Sequence, residues 1–192
     1  FMTAWRMLIT RAGLRPGEDI LILGAGGGVG TAAVQIAKLV GARVFATAST
    51  EEKLERLREL GADVLINYRT SEFDKEVRRL TERRGVDVVV DCVGAETWVK
   101  SLRSLAKDGR LVTCGATTGP NPQTDIRYIF WNQLHIIGST MASTKELLDV
   151  LKLLWAGKLR PVIHRVMPLR EAAEAQRLLE ERQVFGKVVL VP

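Results

Sequence analysis

A glycine-rich stretch near the N-terminus has the composition and spacing of a phosphate-binding turn. Residues 24–30 read Gly-Ala-Gly-Gly-Gly-Val-Gly and lie between an apolar run of strand length at 20–23 and a helical pattern that continues to residue 40. At such a junction the first N–H groups of the helix point at an anion, and missing Cβ atoms let the backbone approach it. The register that fits is Ala25-x-Gly27-x-x-Gly30, in which Gly27 allows close approach and Gly30 lets the helix pack on the strand. The pattern predicts a dinucleotide site with contacts from Gly27, Gly28, Val29 and Gly30; the alternative is a merely flexible loop.

The end of the next strand, at 44–47, bears on the choice of dinucleotide. NAD sites place an acidic residue there, about 20 residues beyond the turn, to bind the ribose 2′-OH. This chain has Thr47-Ala48-Ser49 instead, so a 2′-phosphate would meet no repulsion. Ser49 and Thr50 offer hydroxyls and helix N-terminal amides, and Lys53 follows within one turn, which favours NADP(H) over NAD(H). The alternative is that Ser49 and Thr50 only cap the helix and Lys53 faces solvent.

The rest of the chain supplies the scaffold that such a turn needs. Apolar runs predict six strands at 20–23, 44–47, 64–66, 86–91, 111–114 and 134–137. Helical patterns occupy 2–13, the residues after the glycine turn, 71–83, 95–105 and 143–155, and a further helix opens at 49. Alternation of this kind predicts an α/β fold, a doubly wound parallel sheet with right-handed crossovers. The division predicted is a nucleotide-binding domain at 1–157 and a strand-helix-strand tail at 158–192.

Two local signals support these boundaries. Helix stops are predicted at four glycines that follow helices, where the left-handed conformation costs glycine little: Gly41, Gly61, Gly85 and Gly157. Capping boxes are predicted where a serine precedes a glutamate by three residues, at Ser49 with Glu52 and at Ser143 with Glu146.

Other residues that could do chemistry carry weaker signals. Cys92 and Cys114 are far apart in the sequence and form no CxxC, which favours a reduced, cytoplasmic protein without structural zinc in this segment. His135 and His164 are expected to be structural, and no metal-ligand spacing or GxSxG appears, so no catalytic residue is assigned. Asp91, at the end of a strand, fits the cofactor cleft and a structural turn equally well. Phe130-Trp131 is expected to cover the core; the alternative is an exposed aromatic pair that faces substrate or a subunit partner.

The net positive charge does not by itself identify a class of binding partner. The chain has 192 residues, with 28 basic and 22 acidic side chains, and a net charge of +6. A basic nucleic-acid-binding module would be an alternative, but no aromatic stacking stripe accompanies the positive charge, so nucleic acid is an unlikely partner. No apolar run reaches the length of a membrane span, about 20 residues.

The motifs together resemble the cofactor domain of the medium-chain dehydrogenase/reductase superfamily, above all its quinone-oxidoreductase and zinc-type alcohol dehydrogenase-like branches. The resemblance covers nearly the whole chain. It rests on Thr3-Ala4-Trp5, Pro16-Gly17-Glu18, Gly27-Gly28-Val29-Gly30, residues 33–38, Leu60-Gly61-Ala62-Asp63, Ile66-Asn67-Tyr68, residues 85–89, Gly109-Arg110-Leu111-Val112, Gly138-Ser139 and residues 186–190.

The resemblance implies further roles. Lys53 and Tyr68 stand where NADPH-dependent quinone oxidoreductases grip the 2′-phosphate. Val93 and Gly94 are expected near the adenosine, and Gly115, Ala116 and Ser139 toward the nicotinamide. It also implies an N-terminal GroES-like domain that holds any catalytic zinc, and a homodimer or tetramer formed through the edge strand at 134–138.

These observations lead to one expected function and one enzymatic alternative. The expected function is an NADP(H)-binding domain of an oxidoreductase that moves a hydride between nicotinamide and a small quinone, enone or carbonyl substrate. The alternative is the cofactor domain of an NAD(H)-using, zinc-dependent alcohol dehydrogenase.

Overall fold

The computed structural model describes residues 1–192, and its centre is a six-stranded parallel sheet in the order β3-β2-β1-β4-β5-β6. The strands are β1 (Asp19–Ile22), β2 (Arg43–Ala48), β3 (Val64–Asn67), β4 (Val86–Val90), β5 (Leu105–Thr113) and β6 (His135–Gly138). The order reverses between β1 and β4, which is the switch point where doubly wound sheets bind ligands. The fold class predicted from the alternating pattern is confirmed.

Helices cover both faces of this sheet. They are α1 (Met2–Trp5), α2 (Gly28–Val40), α3 (Glu51–Glu59), α4 (Phe73–Leu80), α5 (Trp98–Ser104), α6 (Ile126–Asn132), α7 (Thr144–Trp155) and α8 (Ala172–Glu180). A π-helical turn, Arg6–Arg11, continues α1. No helix has the length and apolar character needed to cross a bilayer.

The strands bury alternate residues on opposite faces, as strand geometry requires. Ile20, Ile22 and Val88 belong to the larger cluster, which packs against α1 and α2. Leu21 and Val89 belong to the smaller cluster on the opposite face, which includes residues of α4 and α5. Burial on both faces explains why these strands are continuous apolar runs rather than alternating ones.

The last part of the chain forms a separate two-stranded sheet. β7 (Ile163–Pro168) and β8 (Lys187–Val191) pair in parallel around α8. A short 3-10 turn, Leu169–Glu171, precedes α8, which is the helix of the predicted strand-helix-strand tail and has nine residues. The tail is tied to the glycine-rich turn after β1 because the Gly186 N–H donates to the Gly26 carbonyl oxygen at 2.8 Å.

Four of the local predictions have clear outcomes. The four predicted stop glycines all have positive φ, from 66° to 101°. The Ser143–Glu146 capping box is present, whereas the Ser49–Glu52 box is wrong: Thr50 is the N-cap of α3, and Ser49 is buried one residue earlier. β5 starts at Leu105, six residues before the predicted start.

The stretch before β6 differs most from expectation. It contains α6, which was not predicted; Tyr128 of this helix packs against the smaller core cluster, whereas its other two aromatic residues do not. Phe130 and Trp131 are 59% and 67% exposed, so the prediction that they cover the core is wrong.

Candidate active site

The glycine-rich turn connects β1 to α2 at the switch point of the sheet. The Ala25 N–H donates to the Thr47 carbonyl oxygen at 2.9 Å, and the Gly27 N–H donates to that of Gly24 at 3.0 Å. These bonds fix the loop so that α2 begins at Gly28, where the first N–H groups have no helical acceptor. The turn therefore presents free donors and a helix N-terminus to the space beyond the strands.

The glycines of the turn meet different surroundings. A Cβ on Gly30 would lie 2.5 Å from Ala25 Cα, so the start of α2 is pressed directly against the loop backbone. A Cβ on Gly28 would meet only the side chain of Lys187, at 2.4 Å from its Cδ. Gly28 thus leaves a cradle beside the free N–H groups, which the flexible Lys187 side chain occupies in this structure, and such close approach to the backbone is what a bound pyrophosphate needs.

A cavity of about 540 Å³ opens over this cradle. It brings together six predicted residues from four separate chain segments, and the turn neighbour Gly26 joins them; the six are Gly27, Gly28, Ser49, Lys53, Tyr68 and Val93. Three other predicted residues, Val29, Gly30 and Thr50, do not line it. Thr50 instead caps α3, because its Oγ accepts the Lys53 N–H at 3.3 Å.

The lining of this cavity is basic. Lys53 Nζ donates to the carbonyl oxygen of Arg182 at 2.5 Å, and desolvation lowers the pKa of this lysine. Arg182, Lys100 and Lys187 also line the cavity, against a single carboxylate, that of Glu96. The nearby Arg56 guanidinium lies 4.1 Å from the Phe185 ring centroid. The end of β2 carries no acid, so this cavity is electrostatically suited to an anion.

A second cavity, of about 780 Å³, continues along the same edge of the sheet. Its lining includes Gly94, Gly115, Ala116 and Ser139. The last three are the residues expected toward the nicotinamide. Val93 lines the first cavity and Gly94 the second, so the two cavities adjoin at the end of β4. Ser139 Oγ is buried without a hydrogen-bond partner and is available to a ligand.

Asp91 holds the loop between the cavities. Its carboxylate accepts the N–H groups of Val93 and Gly94 at 2.8 and 3.1 Å, and the hydroxyls of Thr97 and Ser101 at 2.8 and 2.6 Å. All its donors are protein groups and the residue is 1% exposed. Of the two roles left open by the sequence, the structural one is therefore observed.

The remaining titratable residues form no metal site. No group of three or more His, Cys, Asp or Glu side chains lies close enough to hold a metal ion. His135 is exposed on the edge strand β6, where its Nε2 lies 3.0 Å from Asp108 Oδ1. His164 is half-buried among cations, and desolvation lowers its pKa. The residues of this chain therefore offer no ligand set for the zinc that the resemblance assigns to an N-terminal domain.

With the geometry established, comparison with known proteins identifies the family. Residues 28–156 match the model of the zinc-binding dehydrogenase family. The chain belongs to this family. The expected superfamily resemblance is thereby confirmed, and the matched region runs from the first residue of α2 to the end of α7.

Relatives and solved structures agree with this assignment. A NAD-dependent alcohol dehydrogenase of Saccharolobus solfataricus is 37% identical over 186 residues, which cover 96% of this chain and 53% of that protein. A crystal structure of a NAD-dependent alcohol dehydrogenase superposes with a TM-score of 0.94 at 49% identity, covering 100% of this chain and 56% of that one. A crotonyl-CoA carboxylase/reductase in complex with NADP superposes with a TM-score of 0.91 at 29% identity, covering 99% and 54%. The chain spans about half the length of the curated relatives it matches.

Three basic residues of the first cavity were not predicted from the sequence: Lys100, Arg182 and Lys187. Arg182 and Lys187 reach the cavity from the tail, more than 120 residues beyond Lys53. Gly186 and Lys187 belong to one of the stretches that carry the family resemblance, but no site role was predicted for them. Gly186 has a φ of 86° and forms the turn that brings Lys187 to the cavity.

Proposed function

We propose that this chain is the NADP(H)-binding domain of an oxidoreductase acting on a small quinone, enone or carbonyl substrate. The observation that carries the proposal is the cavity in which the cradle at Gly28 faces Lys53 and Tyr68. The nicotinamide supplies the hydride when bound, and the protein supplies binding and orientation. The reductase complex with NADP supports the choice of cofactor and substrate class, since it shares the fold along nearly the whole chain.

Each group has a separate task in this proposal. The N–H groups at the start of α2 bind the pyrophosphate, and Gly27 and Gly28 let it approach. Ser49, Lys53 and Tyr68 bind the 2′-phosphate, with Arg182 adding a second cation. Val93 and Gly94 border the adenosine, and Gly115, Ala116 and Ser139 the nicotinamide. Val29, Gly30 and Thr50 act indirectly, by holding α2 and α3 in place. No acid or base for the reaction is assigned.

The test is a titration of NADPH against NADH with Lys53→Ala and Tyr68→Ala, monitored by calorimetry. A charge-assisted hydrogen bond contributes about 1.5–3 kcal/mol, so Lys53→Ala should weaken NADPH binding about tenfold to a hundredfold. NADH affinity should change little. Lys152→Ala is the matched control, because it removes the same charge from an exposed face remote from the cavity. A preference for NADPH that survives both cavity substitutions would refute the assignment.

A second candidate is the cofactor domain of an NAD(H)-using alcohol dehydrogenase. The names of the relative at 37% identity and the solved structure at 49% identity favour it. It predicts that the wild-type chain binds NADH at least as tightly as NADPH, so the same titration distinguishes the candidates. The ligands of its zinc would then have to lie outside this chain.

The arrangement of the molecule is also a proposal. We infer a division at residue 157, with 158–192 as a segment that lines the first cavity and returns toward a catalytic domain. We further infer a homodimer through β6, whose outer edge has no strand neighbour and carries the 39% exposed side chain of Ile136. Light scattering of Ile136→Lys should then show monomer where the wild type shows dimer. A cytoplasmic location stays a prediction.

A further inference from the structure

Two cysteines that are separated by 22 positions meet at the floor of the second cavity. The Sγ atoms of Cys92 and Cys114 are 3.2 Å apart. Val90 of β4 pairs with Val112 of β5, and each cysteine lies two residues further along, so both side chains point to the same face of the sheet. Both pack against the larger core cluster and both are free thiols.

The two thiols differ in access and acidity. Cys114 lines the open second cavity, whereas Cys92 does not. The hydrogen bond from the Cys92 thiol lowers the pKa of Cys114 to about 7, while the same hydrogen bond, and after it burial, raises the pKa of Cys92. A solvent-accessible thiolate backed by a second thiol at contact distance is the arrangement of an oxidisable pair.

The backbone of these cysteines is also the frame of the cofactor groove. The Cys92 carbonyl oxygen accepts the Thr117 hydroxyl at 3.0 Å, and Thr117 lines the first cavity. Cys114 is followed directly by Gly115 and Ala116, which line the second. A disulfide has an S–S length of about 2.05 Å, so bond formation must bring sulfurs now 3.2 Å apart closer by about 1.2 Å. Backbone movement at Cys92 would reach the first cavity through Thr117, and movement at Cys114 would reach the second through Gly115 and Ala116.

We propose that Cys92 and Cys114 form a peroxide-sensitive dithiol, whose oxidation to an intramolecular disulfide lowers the affinity of the groove for its nicotinamide dinucleotide. The regulatory part rests on the proposed function; the formation of the disulfide does not. Hydrogen peroxide is the oxidant that modifies this pair. The modification connects the redox state of the chain to cofactor binding.

The chemistry balances in two steps. The Cys114 thiolate attacks one oxygen of hydrogen peroxide, the O–O bond breaks, and the departing hydroxide takes a proton to become water. The Cys92 thiol then attacks the sulfur of the resulting sulfenic acid; its proton leaves with the hydroxyl group as a second water, and the S–S bond forms. Two thiols lose two electrons, and peroxide is reduced to two waters. A thiol reductant reverses the change by exchange.

The experiment treats the 192-residue chain with dilute hydrogen peroxide, removes the excess, and measures two quantities. Intact mass and thiol titration report the disulfide as loss of two hydrogens and of both thiols. Calorimetric titration with NADP⁺ reports affinity before oxidation, after it, and after reduction with dithiothreitol. We expect complete disulfide formation and about tenfold weaker NADP⁺ binding, restored by the reductant, because coupling between two sites typically spans about 5- to 150-fold.

Two variants keep the test decisive. Cys92→Ser keeps a hydrogen-bond donor beside Cys114 but cannot resolve the sulfenic acid, so its mass should rise by one oxygen instead of falling. Cys114→Ser removes the reactive thiol, and its NADP⁺ affinity, whatever the starting value, should not respond to peroxide. A response in Cys114→Ser would assign the effect to methionine oxidation and overturn the proposal.

The remaining outcomes are also decisive. If the wild type keeps both thiols in peroxide, no oxidisable pair exists. If the disulfide forms and NADP⁺ affinity stays within twofold, the regulatory link is wrong. If the reduced chain binds neither NADP⁺ nor NADH, the proposed function fails and takes the regulatory link with it, while the mass shift still decides the dithiol.

Discussion

Gly28 and Gly30 lie two residues apart at the start of one helix, yet the structure predicts opposite consequences for the same substitution. In Gly30→Ala the new Cβ would lie 2.5 Å from Ala25 Cα and 2.6 Å from its carbonyl oxygen. These are backbone atoms of a fully buried residue and cannot rotate away. In Gly28→Ala the new Cβ meets the end of the flexible Lys187 side chain, which can move.

The magnitudes follow from two opposing effects. Overpacking a rigid site costs about 1–3 kcal/mol, and replacing a helical glycine by alanine returns about 0.8–1.0 kcal/mol. Because backbone must shift in Gly30→Ala, we expect a net loss of about 1–2 kcal/mol in the free energy of unfolding. For a chain of this size that loss lowers Tm by about 2–8 °C. Gly28→Ala should be neutral or stabilising by up to about 1 kcal/mol.

Urea unfolding monitored by circular dichroism measures both changes, with NADP⁺ titration of each folded variant beside it. Gly30→Ala should lower the midpoint at an unchanged m-value, whereas Gly28→Ala should keep the midpoint and weaken NADP⁺ binding, because its methyl group fills the cradle. The reasoning is refuted if Gly30→Ala unfolds within about 0.5 kcal/mol of the wild type. It is equally refuted if Gly28→Ala is the less stable variant.

Three further predictions concern other parts of the frame. Thr50→Ala should lower the unfolding free energy by about 1 kcal/mol, since it removes the acceptor for the Lys53 N–H, and Ser49→Ala should lower it by less than half as much in the same urea assay. Asp91→Ala should cost at least about 2 kcal/mol because it leaves buried N–H and hydroxyl donors unpaired, with Asp91→Asn recovering part of the loss in thermal unfolding. Hydrogen bonds from the Ser143 N–H, Thr10 and Arg6 lower the pKa of Glu146 to about 2, so its stabilising effect is complete above the ordinary value of 4.5 and disappears as the pH falls toward 2. Glu146→Gln should therefore flatten the pH dependence of Tm over that interval, and an unchanged slope would contradict the assignment.

The two capping boxes show where local sequence is sufficient and where it is not. Ser143 and Glu146 form the predicted reciprocal pair, with the Ser143 N–H donating to Glu146 Oε2 at 2.6 Å. The identical spacing at Ser49 fails by one residue because β2 continues to Ala48 and leaves Ser49 buried beside the cavity. Thr50 is then the first residue free to cap α3.

The aromatic pair on α6 illustrates a different limit. Phe130 and Trp131 have the composition of a core segment, and their rings contact each other with centroids 5.6 Å apart. Their exposure depends on how α6 lies against β5, and no local pattern specifies that placement.

The sequence by itself determined the alternation of strands and helices, the position of the glycine turn and the helix stops, because hydrophobic periodicity and positive φ are properties of neighbouring residues. The local sequence also placed Lys53 in the first turn of α3, and its side chain lines the first cavity. Only the tertiary structure decided which distant segments meet there. It brought the Arg182 carbonyl oxygen to Lys53 and the sulfur of Cys92 to that of Cys114, because strand order and helix packing set contacts across long sequence separations.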